Sequence, residues 1–177
     1  MCRASPVVVA LAMVTLALPL PAQGYDPEAR LRELGLTLPK PAAPVANYVR
    51  AVRVGNLLFL AGHSECGDKF MTGKVGRDVS VDSAYASARR TALCLMSTLK
   101  AELGDLRKVR RVVRVFGMVN ATPDFVDHPK VINGCSDLLI QVFGERGRHA
   151  RAAVGMSSLP ANIPVEIEML VEVDGHS

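Results

Sequence analysis

The stretch that decides the fold is residues 80–104, which reads SVDSAYASARRTALCLMSTLKAELG. Its apolar residues recur every three or four positions, the spacing that places side chains along one face of an α-helix. These residues are Val81, Ala84, Tyr85, Ala88, Ala92, Leu95, Met96, Leu99 and Leu103. Ser80 is a good capping residue for the first turn, and Gly104 can end the helix in the left-handed conformation. The pattern predicts a helix over residues 81–103 that buries one face.

Runs rich in β-branched and apolar residues lie on both sides of this helix and predict strands. Residues 48–54 and 57–61 form one pair before the helix, and Gly55-Asn56 between them is typical of a two-residue hairpin turn. Residues 109–119 predict a third strand directly after the helix.

A second amphipathic helix is predicted from Asp127, which we interpret as its cap, to Gly144, with Pro129 in the first turn. Two further strands, over residues 150–156 and 165–173, complete the chain. The resulting order is β-β-α-β-α-β-β. This order indicates an α+β single domain in which two helices pack on one face of a mixed sheet.

The N-terminal segment is typical of a secretory signal peptide. Residues 1–24 contain a positive charge at Arg3, a short apolar run and small residues before Tyr25. A membrane span would need about 20 apolar residues, and this run is shorter. We therefore expect an exported protein, periplasmic or secreted, with no membrane attachment after cleavage. Residues 25–45 are predicted to form a short helix starting at Asp26-Pro27 and a Pro-rich arm, followed by the main domain over residues 46–174.

Composition excludes several classes of protein. Apolar residues make up 49% and charged residues 21% of the 177 residues, which is typical of a globular chain and excludes intrinsic disorder. After cleavage the chain would keep Cys66, Cys94 and Cys135. Three cysteines allow at most one internal disulfide and leave one free thiol.

The basic and histidine residues do not predict a nucleic-acid or metal site. A nucleic-acid groove needs aromatic side chains between its charges, and only Phe116 lies near the densest basic cluster. That cluster consists of Arg107, Lys108, Arg110, Arg111 and Arg114, which we interpret as solvated charge at a strand end. The four histidines lack the spacing of metal ligands and are expected on the surface or in loops. We therefore expect no nucleic-acid partner, no metal and no cofactor.

Two sites near the C-terminus are candidates for a ligand pocket, and the alternative for the second, acidic site is the solvent-facing side of a half-exposed strand. Arg151 lies within the small residues of a predicted strand, which leaves room above its guanidinium for a planar anion. In the last strand, Glu166 and Glu168 alternate with apolar residues and so share one face. If another subunit covered that face, a carboxylate there would need a partner, for which Arg151 is a candidate.

Taken together, these stretches resemble the Rid family, also called YjgF or L-PSP endoribonuclease. The resemblance spans about residues 46–173. Within the family, the chain is most similar to a sub-branch with an N-terminal arm. The matching motifs are Asn47-Tyr48-Val49, Gly55-Asn56, Ala61-Gly62-His63, Val131-Ile132-Asn133, Ala150-Arg151, Leu159-Pro160 and Val165-Glu166-Ile167-Glu168. The resemblance implies a chorismate-mutase-like fold and a homotrimer with a site in each cleft between subunits.

The resemblance also implies a reaction, the hydrolysis of reactive enamines or imines (2-imino acids) to 2-keto acids and ammonia. Arg151 matches the residue that binds the substrate carboxylate, and Glu166 matches the residue that orients the attacking water. The substrate-binding positions it implies are Tyr48, Gly62, Asn133 and Ala153. Departures from the usual family residues occur at Ala46-Asn47, His63 and Ala153.

Two other functions remain open at this point. The same fold could serve as a non-catalytic module that binds a small carboxylate or a protein partner, because a fold does not fix a function. A ribonuclease is suggested only by the historical family name, and the sequence supplies no histidine pair for acid–base catalysis.

Overall fold

A computed structural model describes residues 25–41, 43–44, 46–67 and 69–175. The predicted signal peptide, residues 1–24, lies outside the described residues. The helices and strands are α1 (Pro27–Glu33), β1 (Ala51–Val54), β2 (Leu57–His63), α2 (Val81–Leu103), β3 (Val109–Asn120), α3 (His128–Phe143), β4 (Ala150–Met156) and β5 (Val165–Val173).

The strands form a five-stranded sheet in the order β1-β2-β5-β3-β4. Only the β3–β4 pair is parallel, and the other three pairs are antiparallel. The sheet is therefore mixed, and its two long helices pack on one face, which confirms the predicted α+β, chorismate-mutase-like architecture.

The helix α2 forms as its sequence predicts. The Ser80 side chain accepts a hydrogen bond from the backbone N–H of Ser83, and Gly104 ends the helix with φ 74°. The face of α2 that carries the apolar stripe packs against α3 and the sheet. A β-carbon on Gly134 of α3 would overlap the backbone carbonyl of Tyr85, so this glycine lets the two helices approach closely.

The start of α3 lies where the sequence predicts it, but its cap lacks the expected side-chain hydrogen bond. Asp127 occupies the cap position, but its side chain makes no capping hydrogen bond. Its carboxylate instead accepts a hydrogen bond from the Lys130 ammonium at 2.9 Å and so forms an ion pair with it.

The first hairpin also differs in its limits. A turn at residues 46–48, in which Tyr48 N–H donates to the Ala46 carbonyl, bends the chain before β1, so this strand starts only at Ala51. Strand β2 runs on to His63 through a register shift between Leu60 and His63. That shift buries His63, so the expectation of a surface or loop histidine is wrong at this position.

The two faces of the sheet have opposite character. In β5, Val165, Ile167 and Met169 face the helices and are buried, whereas Glu166 and Glu168 point to the other face, as predicted. No helix among the described residues covers that other face. It carries exposed apolar side chains on the first hairpin: Val52, Val54 and Phe59.

Ion pairs occupy the basic cluster at the start of β3. Arg107 pairs with Asp105, Arg110 with Asp174 and Arg111 with Glu172. The three arginine side chains are between 63% and 65% exposed, so this cluster is solvated, paired charge at a strand end.

Of the described helices, none combines the length and apolar character that crossing a membrane requires.

Candidate functional site

A cleft of about 520 Å³ opens where β2 ends and the antiparallel β5 begins. The N-terminal arm and the bend before β1 form one wall, and the loop that follows β2 forms another. The lining residues are Ala43, Pro44, Tyr48, Arg50, Ala61, Gly62, His63, Ser64, Glu65, Cys66, Pro160, Ile163 and Glu166. Three of the residues singled out from the sequence, Tyr48, Gly62 and Glu166, therefore line one cleft.

Glu166 places a half-buried carboxylate in this cleft. Burial raises the pKa of Glu166, and the negative charge of Glu168 raises it further. Burial is the larger of these two causes. A carboxylate with a raised pKa holds a proton more readily, which suits it to exchange protons with a bound water molecule.

Gly62 lies directly against this carboxylate. A β-carbon at position 62 would overlap Oε1 of Glu166 and lie 3.0 Å from its Cδ. The absence of a side chain thus leaves the space in which the Glu166 carboxylate sits.

His63 is held in the wall of the cleft by two hydrogen bonds. Its Nδ1 lies 2.7 Å from the Ala61 carbonyl, and its Nε2 lies 2.8 Å from the hydroxyl of Thr98 on α2. A carbonyl oxygen only accepts, so Nδ1 carries the hydrogen. Burial lowers the pKa of His63, and the charge of Arg50 lowers it further. His63 thus fixes the end of β2 to α2 as a neutral ring.

A disulfide and an ion pair attach the loop after β2 to α2. Cys66 and Cys94 form a disulfide with a Cα–Cα distance of 5.8 Å, and Glu65 accepts hydrogen bonds of 2.5 and 3.0 Å from Arg90. Burial is the largest single influence on the pKa of Glu65 and acts to raise it, but the hydrogen bonds and the charge of Arg90, together with weaker contributions from neighbouring groups, lower the pKa overall. The third cysteine, Cys135, is free and buried, in agreement with the predicted limit of one disulfide.

The segment before β5 closes the far end of the cleft. Ala161 and Asn162 adopt left-handed backbone conformations, with φ of 50° and 56°. Such conformations are costly for residues other than glycine, and Asn120 stabilises them by donating a hydrogen bond of 3.0 Å to the Asn162 side chain. This backbone conformation places Pro160 and Ile163 at the cleft.

Arg151 lies elsewhere in the single chain. Its Nη1 donates to Oδ1 of Asn133 at 2.8 Å and to Oγ of Ser136 at 3.0 Å, both on α3. It therefore lies on the helix side of the sheet, on the edge strand β4, beside a second cleft of about 220 Å³. Ala153, two residues further along β4, packs partly against the same core.

The structure thus divides the predicted site residues into two groups. Tyr48, Gly62 and Glu166 line the larger cleft, whereas Arg151 and Asn133 form a hydrogen-bonded pair on the opposite side of the sheet. Strand β3 separates them: Arg151 pairs with Val115, and Glu166 pairs with Met118. Three residues along the strands and two strand spacings across give roughly 14 Å between the Cα atoms. One chain does not bring Arg151 and Glu166 together.

Sequence reasoning missed His63 as a buried residue and the attachment of the loop to α2. The sequence did carry a signal for this attachment. Arg90 and Cys94 are four residues apart and so share one helix face, and the adjacent Glu65 and Cys66 are the matching partners. No three His, Cys, Asp or Glu side chains in the described part of the chain come together as a metal-binding group.

A mixed five-stranded sheet with two helices on one face, and a cleft where β2 ends and β5 begins, defines the class of chorismate-mutase-like α+β proteins. Residues 28–173 match the family described as "YjgF/chorismate_mutase-like, putative endoribonuclease". The chain therefore belongs to the YjgF/chorismate-mutase-like family, which confirms the resemblance inferred from the sequence.

The chain is also similar to individual proteins of known sequence or structure. The chain is 44% identical over 149 residues to protein TCP17 of Trypanosoma cruzi, covering 82% of this chain and 93% of that protein. It is 26% identical over 142 residues to a protein of Dermatophagoides farinae named 2-iminobutanoate/2-iminopropanoate deaminase, covering 78% and 95% respectively. Its fold is similar to the crystal structure of Atu1372 from Agrobacterium tumefaciens, a protein described as of unknown function. That match has a TM-score of 0.78 and 49% identity, and covers 84% of this chain and 92% of the other.

Proposed function

We propose that this protein hydrolyses 2-imino acids, or their enamine tautomers, to 2-keto acids and ammonia. The observation that carries the proposal is Glu166, a half-buried carboxylate with a raised pKa that lies in an open cleft against Gly62. The named activity of the Dermatophagoides farinae relative supports the same reaction class.

The chemistry needs little beyond orientation and proton transfer. The carbon of a protonated imine is already electrophilic, so a water molecule held by Glu166 can add to it while the carboxylate takes one proton from that water. The resulting carbinolamine carries a hydroxyl and an amine on one carbon. Glu166 then returns its proton to the amine nitrogen. As the C–N bond breaks and ammonia leaves, the same carboxylate takes the hydroxyl proton so that the C=O bond forms, and it passes this proton to the departing ammonia as ammonium. A carboxylate that both accepts and donates a proton works best with a pKa nearer to neutrality than usual.

The substrate carboxylate requires a cation, and Arg151 is the proposed one because its planar guanidinium matches a carboxylate. Since Arg151 and Glu166 lie on opposite faces of the sheet in one chain, the proposed site combines Glu166 of one copy with Arg151 of a second. The exposed apolar side chains Val52, Val54 and Phe59 on the uncovered face support such association, because water-exposed apolar patches commonly mark protein interfaces. A homotrimer is the assembly that we propose.

We also propose that the protein acts after export, in the periplasm or outside the cell. The signal-like sequence of residues 1–24 motivates this proposal. The Cys66–Cys94 disulfide supports it, because disulfides persist mainly in oxidising compartments.

The decisive test supplies a fresh 2-imino acid, made in situ by an amino-acid oxidase, and follows keto-acid release above the spontaneous rate. Arg151→Ala should lower kcat/KM roughly 100-fold through the lost ionic hydrogen bonds. Glu166→Gln should lower kcat by roughly 100-fold or more through the lost proton transfer. Arg107→Ala and Glu102→Gln, which change exposed charges outside both clefts, are the matched controls and should retain full activity.

A rate unchanged by Arg151→Ala would refute the proposal. The non-catalytic alternative predicts a different result: keto acids would raise the melting temperature, and no turnover would be measured for the wild-type chain.

A further inference from the structure

Two side chains of α3 hold the Arg151 guanidinium in place. Asn133 and Ser136 are three residues apart and so project from the same face of the helix. Both oxygens accept from one nitrogen, Nη1, at 2.8 and 3.0 Å. Among the described residues, Nε and Nη2 have no hydrogen-bond acceptor, so that edge of the guanidinium is available to a ligand.

The hydroxyl of Ser136 has a second partner, His149. Its Oγ lies 3.0 Å from Nε2 of His149, whose Nδ1 lies 2.6 Å from the carbonyl oxygen of Gly147. Because that carbonyl only accepts, Nδ1 carries the ring hydrogen and Nε2 of the neutral ring is an acceptor. Burial lowers the pKa of His149, and the charge of Arg151 adds to this effect, so the neutral ring predominates near neutral pH.

These contacts fix the direction of every hydrogen bond. Arg151 donates to Ser136, Ser136 donates to His149, and His149 donates to Gly147. A guanidinium has no acceptor, so a Ser136 hydroxyl whose hydrogen pointed at Arg151 would repel it. His149 prevents this arrangement by accepting that hydrogen, and the Ser136 lone pairs then face the guanidinium.

We propose that Ser136 and His149 are positioning residues that act as one unit to orient the Arg151 guanidinium toward the substrate carboxylate. This inference rests on the proposed function, because it assumes that Arg151 binds that carboxylate. Neither residue was singled out as a site residue from the sequence. Both line the cleft of about 220 Å³ that Arg151 also lines.

A positioning role makes a specific kinetic prediction. Arg151 holds the substrate carboxylate equally in the ground state and the transition state. Weakening this contact therefore raises KM and leaves kcat nearly unchanged. Ser136→Ala should raise KM for the imine roughly ten-fold, the effect of losing a hydrogen bond to a charged group. The dissociation constant for pyruvate, a stable 2-keto acid, should rise by a similar factor when measured by calorimetry.

The coupling between the two residues distinguishes positioning from packing. His149→Phe should also raise KM, because the ring would keep its bulk and lose its acceptor. In the Ser136→Ala background, His149→Phe should add less than about two-fold, since His149 acts only through the hydroxyl. His149→Gln, which can place an acceptor near Ser136, should restore part of the loss.

The matched control is His128→Gln. His128 is a partly buried histidine at the start of α3 that lies edge-on to Phe125 and lines a different cavity. This variant should leave KM and pyruvate binding unchanged. If Ser136→Ala does not fold, as judged by its melting temperature, Ser136→Cys replaces the hydroxyl with a group of similar shape that accepts weakly.

The outcomes separate this inference from the proposed function. If Arg151→Ala retains turnover and pyruvate binding, the proposed function fails. If Arg151 is required but the Ser136 and His149 variants keep KM within two-fold of wild type, the inference alone fails. Multiplicative effects of the two substitutions would also overturn it, because they would show that the residues act independently.

Discussion

Gly62→Ala is expected to lower activity strongly while leaving the fold intact. The added β-carbon would overlap Oε1 of Glu166 and come within 3.0 and 3.3 Å of its Cδ and Cγ. These atoms belong to the end of a flexible side chain, so the carboxylate moves aside and the backbone stays in place. Gly62 does not have a positive φ, so alanine adds no left-handed strain.

The expected size of the effect follows from the displacement. Restoring ordinary van der Waals contact requires the Glu166 carboxylate to move by about 1 Å, and misplacement by that distance can lower a rate roughly 100-fold. We therefore expect kcat for keto-acid release to fall by about that factor. The free energy of unfolding should change by less than about 1 kcal/mol, as measured by urea denaturation, because nothing in the core is disturbed.

Two further variants make the interpretation specific. Gly104→Ala is the control: its φ is 74° and no atom lies within 4 Å of the added carbon. It should therefore lose roughly 1 kcal/mol of stability through strain and keep its kcat. Combining Gly62→Ala with Glu166→Asp shortens the carboxylate side chain and should recover part of the activity. Wild-type kcat in Gly62→Ala would refute the placement of Glu166 as the reacting carboxylate.

Two other predictions concern the surroundings of the cleft. Replacing both Cys66 and Cys94 with Ser should lower the free energy of unfolding by about 3–4 kcal/mol, the chain-entropy value for a separation of 28 residues. Equal denaturation midpoints for the oxidised wild type and this variant would contradict the prediction. Glu168→Gln removes one of the two causes that raise the pKa of Glu166, so the acid limb of the kcat–pH profile should move to lower pH. The profile is measured from keto-acid release corrected for spontaneous hydrolysis, and an unchanged or upward-shifted limb would contradict this role of Glu168.

The parts of the fold predicted most closely are those that local chemistry determines. Ser80 and Gly104 mark the ends of α2 because a capping hydroxyl and a left-handed glycine act within one turn. The limits of β4 and β5 also agree with the prediction, since turn residues bound both runs. The burial of His63 was not predictable in this way. It depends on a register shift between β2 and β5, strands about 100 residues apart in the sequence.

The same limit explains why the sequence could not place Arg151 relative to Glu166. Each residue's face within its own strand follows from alternation, but the relation between the strands depends on how both pair with β3. Met118 lies between Val154 and Glu166, and Val154 is three residues from Arg151. An odd number of steps puts Arg151 and Glu166 on opposite faces, whereas a register shifted by one residue would have placed them on the same face. Because the observed register separates them, a reaction that needs both groups requires a second copy of the chain, and the uncovered apolar face of the sheet is where that copy has most to bury.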